Sequence, residues 1–171
     1  NTGVLISGSE YNQLYTASTP ASGAKREGNV DIFFQNGEYG SRFVITEELR
    51  GGQIGGALDV RDHTVNDLHA KMDHLAYTVS QSVNAIHESG FDRYNNTGRI
   101  FFEPMAKEFG ASEQIAINEN ILKDPGFIAA GLKPNSPADN RVANAIAALQ
   151  SRKLFSQETA TADEFFNGLV G

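Results

Sequence analysis

Apolar and polar positions change their period along this chain near residue 50. Before that point they alternate: Val30, Ile32 and Phe34 are interleaved with Asp31 and Phe33, and Phe43-Val44-Ile45-Thr46 forms a second β-rich run. Asn36-Gly37 lies between the two runs and is a strong hairpin signal. Further upstream, Val4-Leu5-Ile6 and the stretch Tyr11, Gln13, Leu14, Tyr15 read as short strands, and the Ser/Thr/Pro/Gly-rich segment from Thr16 to Gly28 reads as a mobile loop. The expectation is an antiparallel sheet of two to four strands.

From Ala57 to about Ser89 the period is helical. Leu58, Val65, Met72, Val79 and Ile86 recur every seventh residue, and Leu68 and Leu75 fill the intermediate position. Heptad spacing of this kind aligns a narrow apolar seam suited to helix-on-helix packing. At about 1.5 Å per residue the helix would run roughly 50 Å, which predicts an elongated molecule. Ser89-Gly90 is the expected stop, because glycine tolerates the left-handed conformation that ends helices. Beyond it, Ile100-Phe101-Phe102 and Gln114 to Asn118 read as short strands, and Glu119 to Ala130 as a short helix broken at Asp124-Pro125. Asn140 to Phe155 reads as a second amphipathic helix capped by Asp139 or Asn140. The fold class is α+β, with a β-rich segment over 1–50 and a mainly helical, rod-like domain over 51–171.

Composition narrows the function. A net charge of −7 and scattered arginines oppose nucleic acid and anionic membrane as partners, since both are held by clustered Lys and Arg. The absence of cysteine removes disulfides, thiolate metal sites and a cysteine nucleophile together. No apolar run approaches the roughly 18 to 20 residues needed to span a bilayer, and the opening Asn1-Thr2-Gly3 suggests an excised fragment.

Three clusters invite a chemical reading. Gly51, Gly52, Gly55 and Gly56 lie between strand and helix, where phosphate loops occur. They form neither G-x-G-x-x-G nor a Walker loop, and Glu47, Glu48 and Asp59 beside them would repel phosphate, so a flexible turn that launches the helix is expected. His63 with Asp67, and His69 with Asp73, are four apart on the helix, and His74 follows. That spacing suits a metal, but equally an ordinary surface pair. His87-Glu88 begins a zinc-protease signature that fails at Phe91, and no G-x-S-x-G elbow exists. A metal-binding helical domain or metal-dependent enzyme using the His/Asp-rich helix 59–74 is therefore an alternative, as is an exported surface-binding module built on the N-terminal strands. No catalytic residue, cofactor or metal site is assigned. The seam has two readings: an internal core, or a surface for a neighbouring subunit.

Longer strings carry a resemblance. "GGQIGGALDVRD", "LHAKMDHLAYTVSQSVNAIHESGFD", "FFEP", "IAINENILKDPGFIAAG", "DNRVANAIAALQ" and "ADEFFNGLVG" occur in the order and spacing of the bacterial flagellar hook-associated protein 1 family, which forms the junction between hook and filament. The resemblance runs from Gly51 to Gly171 and is weaker before it, at "GVLISGSEYNQL". It implies a flagellin-like outer domain, no enzymatic activity, and no cofactor. It further implies that Phe165 to Gly171 approaches a C-terminal core helix, and that neither terminal helix is present. The implied partners are the flagellar hook protein, the second hook–filament junction protein, other copies of the chain, and an export chaperone acting on the missing C-terminal region. The implied location is extracellular, in the flagellum, after export without a cleaved signal peptide.

Overall fold

The computed structural model describes residues 5–7, 10–18 and 29–170. It divides into two compact units, Asn1–Leu68 and His69–Gly171, whereas the change of sequence pattern sits at 50/51. The difference arises because the first turns of helix belong with the sheet. Arg61 donates from Nη1 to the Val30 carbonyl at 2.6 Å while its Nε and Nη2 grip Asp62 at 2.7 Å.

In the first unit, β1 (Ile6–Ser7) and β2 (Glu10–Tyr11) form a small antiparallel pair. The strands β3 (Gln13–Ser18), β4 (Val30–Gln35) and β5 (Arg42–Val44) make a three-stranded antiparallel sheet in that order. Its turn is at Asn36-Gly37, where Gly37 takes φ 66. Thr16 to Ser18 are strand, not loop, and the remainder of the expected loop, 19–28, lies outside the described residues, as do Val4, Gly8 and Ser9. Polar groups pin the sheet: the Thr46 hydroxyl, on a 3-10 turn (Thr46–Glu48), accepts from Ile32 N at 2.8 Å and donates to the buried Asp31 carboxylate at 2.9 Å.

Helical conformation begins with α1 (Gly52–Asp59), passes through one π-helical stretch (Val60–Val65) and continues as α2 (Asn66–His87). Helix therefore starts five residues earlier than the apolar period indicates. Only Gly51 precedes it, as N-cap; Gly52 (φ 67), Gly55 and Gly56 lie within α1. Gly55 is buried, and a Cβ there would come within 2.6 Å of the Arg50 carbonyl carbon, so close approach explains that glycine better than flexibility.

The second unit packs irregular chain and short helices against α2. Its apolar core is Val83, Met105, Ala111, Ile121, Ala129, Val142, Leu149 and Phe155. The helices are α3 (Ala111–Gln114), α4 (Glu119–Lys123), α5 (Arg141–Ala148) and α6 (Ala162–Val170), with 3-10 turns at Pro125–Phe127 and Leu149–Ser151. The strands expected at 100–102 and 114–118 reduce to one bridge, Phe102 to Ile117; Gln114 belongs to α3, and the Phe101 and Phe102 amides bond the Asn84 side chain. The helix expected over 140–155 is shorter, and its first amide, Arg141 N, is met by the Asp139 carboxylate at 3.2 Å. Gly90 does not adopt a left-handed conformation. Its missing side chain admits the core, since a Cβ there would lie 2.8 Å from Ala129 Cβ and 2.9 Å from Val142 Cγ2.

Candidate functional site

The helix α2 carries two stripes, one position apart. The apolar heptad Val65, Met72, Val79, Ile86 is followed at each step by a polar residue: Asn66, Asp73, Ser80, His87. It is the polar stripe that is buried, at 9%, 2%, 1% and 0% exposure. The seam is not. Val65 and Leu68 are exposed at 40% and 44%, and Leu58, Met72, Leu75, Val79 and Ile86 are only half-buried. The chain therefore covers the seam only in part: Val65 and Leu68 are bare, and the other five residues are partly covered.

Three buried polar side chains of α2, Asp73, Asn84 and His87, replace missing secondary-structure partners of the irregular segments. Regular strands would satisfy their own amides; irregular chain laid on a helix must find donors and acceptors among side chains. Asp73 accepts from Gly110 N at 2.8 Å and Ser112 N at 2.9 Å, and also from the Ser112 hydroxyl. Asn84 accepts from Phe101 N (2.9 Å) and Phe102 N (2.8 Å) and donates to the Phe102 carbonyl (3.0 Å). His87 donates from Nδ1 to the Arg99 carbonyl at 2.7 Å and accepts at Nε2 from Ala129 N at 2.9 Å. Ser80 bonds back to Tyr77 O and is small enough to admit close packing.

Just past the helix, Asp92 repeats the device. It accepts from Tyr94 N and Asn96 N, both at 2.8 Å, and lies 3.3 Å from the Arg99 guanidinium, which sits over the Phe127 ring. Burial pushes the Asp92 carboxyl up, but the bonds from Asn96 and Tyr94 and the Arg99 charge outweigh it, leaving it below the ordinary carboxylate range. Asp124 is lowered by the Tyr94 hydroxyl and by Gly126 N.

The seam borders an open groove of about 480 Å³ whose walls include Met72, Leu75 and Val79 of α2, Ile115, and Ala162 and Phe166 of α6. The helix α6 was not resolved as an element from the sequence, although Thr161 and Glu164 form a reciprocal capping box that announces it. Thr161 N donates to Glu164 Oε2 at 2.8 Å, and Glu164 N to Thr161 Oγ1 at 3.2 Å. Phe165 stacks on Phe155 at 4.9 Å, with His74 edge-on to both rings.

The metal-spaced residues separate. His63 pairs with Asp59 at 3.0 Å on an exposed face, His74 with Glu108 at 3.1 Å, and Asp73 is committed to the 110–112 amides. Among the described residues no three His, Asp or Glu side chains converge as a metal would require. Glu47 and Glu48 sit in an exposed 3-10 turn.

No curated protein matches the chain. A family model described as the flagellar hook-associated protein FlgK helical domain matches residues 1–102, a span that takes in the sheet, the glycines and all of the long helix. With more than half of its length in that match, the chain belongs to the flagellar hook-associated protein FlgK family, whose members are structural proteins of the bacterial flagellum.

Proposed function

We propose that this chain is part of the subunit that joins hook to filament, and that it acts by packing against neighbouring subunits through the apolar stripe of α2. The family match supports a structural place in the flagellum. The observation that carries the finer reading is the half-exposed row Met72, Leu75, Val79 beside a buried polar row. Apolar side chains at heptad spacing that the chain covers only in part fit a partner helix. The neighbours in this reading are the hook protein, the second junction protein and further copies of the subunit. Export proceeds without a cleaved signal, with a chaperone acting on the C-terminal part of the subunit. The glycine-rich start of α1 serves the helix and binds no phosphate.

The test is complementation of a bacterium deleted for its own member of this family, using the whole subunit carrying Met72→Asp with Val79→Asp. Secreted subunit is quantified in the medium, and hooks are viewed by electron microscopy. The expected result is normal secretion with bare hooks and flagellin lost to the medium. Filaments of normal number on those hooks would refute the role of the stripe. A subunit that supports filament growth only when metal is supplied would favour the alternative built on helix 59–74.

A further inference from the structure

Two Asn-Gly pairs occur in the chain, Asn36-Gly37 and Asn167-Gly168. Such a pair is chemically reactive, because the glycine amide nitrogen can attack the neighbouring asparagine side chain and no Cβ obstructs the approach. The two pairs differ in what holds that amide. Asn167-Gly168 lies inside α6, where the i→i−4 ladder of the helix engages the Gly168 N–H. Asn36-Gly37 is the turn between β4 and β5. Asn36 is exposed, Gly37 takes φ 66, and a Cβ built on Gly37 would meet nothing within 4 Å. Space for a ring to close is therefore open at this turn.

One contact opposes the reaction. Gly37 N donates to the side-chain oxygen of Asn12 at 2.8 Å, across 25 residues of chain. The other bonds that shape the turn use different atoms: Gln35 Nε2 donates to the Gly37 and Glu38 carbonyls at 3.2 and 2.6 Å, and Gln35 Oε1 accepts from Arg42 Nε at 2.8 Å. Among the described residues the Gly37 N–H is therefore held by Asn12 alone.

We propose that Asn36 is a site of spontaneous deamidation and that Asn12 guards it. In the reaction the Gly37 nitrogen gives its proton to solvent base, and its electron pair forms a bond to the side-chain carbonyl carbon of Asn36. The bond from that carbon to the side-chain nitrogen breaks, and ammonia leaves. Water then opens the resulting succinimide at either carbonyl, giving aspartate or isoaspartate at position 36. While Asn12 accepts from Gly37, the proton is engaged and the nitrogen stays in the plane of its peptide group, so attack must wait for that hydrogen bond to open. Isoaspartate routes the main chain through an extra methylene in a turn whose length sets the β4–β5 register, here Gln35 with Arg42. This modification concerns the sheet and not the α2 stripe, so it goes beyond the packing role above.

The test incubates the full chain and its Asn12→Ala and Asn12→Asp variants at mildly alkaline pH, and follows conversion at positions 36 and 167 by peptide mapping with mass spectrometry. In the folded unsubstituted chain, position 36 should convert faster than position 167. Asn12→Ala should speed conversion at 36 about threefold to tenfold, the range that the net worth of one hydrogen bond allows, and leave 167 unchanged. Asn12→Asp keeps an acceptor oxygen and should react as slowly as the unsubstituted chain. In urea all three chains should convert at 36 at one rate, faster than the folded unsubstituted chain, which separates the guard from the effect of local sequence. Equal rates at 36 in the folded unsubstituted chain and Asn12→Ala would overturn the proposal, as would Asn12→Asp reacting as fast as Asn12→Ala or position 167 converting before 36. None of these results bears on the filament-attachment assay of the α2 stripe.

Discussion

Asn84→Ala is expected to destabilise the second unit more than any single polar substitution on the exposed face of α2. The side chain is 8% exposed and makes three hydrogen bonds to backbone, two from the amides of Phe101 and Phe102 and one to the Phe102 carbonyl. Each such bond contributes about 0.5–1.5 kcal/mol net, and a buried group left without a partner costs about 1–3 kcal/mol. Phe101 and Phe102 are themselves half-buried, so water reaches part of what is exposed. The sum is then about 2–4 kcal/mol, a large share of the roughly 5–15 kcal/mol that holds a domain together. Urea unfolding followed by circular dichroism measures the total, and amide exchange supplies a local reading. The Phe101 and Phe102 amides should exchange much faster in the variant, while the Gly110 and Ser112 amides, held by Asp73, should change only as far as global stability does. A loss under about 0.5 kcal/mol, or unchanged exchange at Phe101 and Phe102, would refute the idea that polar side chains of α2 stand in for a missing strand partner.

Three further outcomes follow from the geometry. Leu68→Asp should change the stability of the isolated chain by no more than about 0.5 kcal/mol in chemical denaturation, since Leu68 is 44% exposed and exposed sites are tolerant; a loss of several kcal/mol would mean the seam is covered in the free chain. Gly90→Ala should cost about 1–3 kcal/mol by overpacking, because the new methyl meets Ala129 and Val142, both buried, at under 3 Å; an unchanged melting temperature would contradict the close approach. Asp92 has a folded-state pKa below its unfolded value, so its contribution is full above the ordinary carboxylate value of about 4 and is lost as pH falls through the lowered one. Urea melts between pH 2 and 6 should therefore show a shallower acid limb for Asp92→Asn than for the unsubstituted chain, and parallel limbs would count against it.

What the sequence discloses here depends on whether a residue's partner is near or far in the chain. The hairpin at Asn36-Gly37, the alternation through Val30–Gln35 and the long helix are local patterns, and each corresponds to an element. The heptad was also legible, but its meaning was not, because periodicity marks a face without saying which neighbour covers it. Two local facts bear on this. The π-helical stretch Val60–Val65 takes more residues per turn, so Leu58 and Val65, seven apart, are not aligned as two α-helical turns would align them. The polar heptad Asn66, Asp73, Ser80, His87 was equally visible as a period, yet buried polar residues are rare enough that a polar stripe reads as a solvated face. The spacing of His69 with Asp73 fitted a ligand pair and an ordinary surface pair equally. Asp73 turned out to serve amides 37 and 39 residues away, a distance no spacing rule reaches.

The inversion of the two stripes has a physical logic. An apolar stripe covered by the chain's own loops would bury area wherever the loops happened to lie, since the hydrophobic effect has no direction. Hydrogen bonds do have direction, and Asp73, Asn84 and His87 each bind particular amides or carbonyls at 2.7–3.0 Å, fixing one arrangement of the segments around Ala129, Phe101 and Gly110. Polar groups on the helix therefore set the register of the irregular chain that the apolar core around Val83 holds in place, and in the proposed packing role the partly exposed Met72, Leu75 and Val79 serve contacts between molecules. In a subunit of an assembly that division is useful: the monomer keeps a defined shape without consuming the surface through which it packs. It also separates the two failures a substitution can cause. A change in the polar stripe should unfold the second unit before any assembly is attempted, and a change in Met72, Leu75 or Val79 should leave a folded monomer that no longer packs.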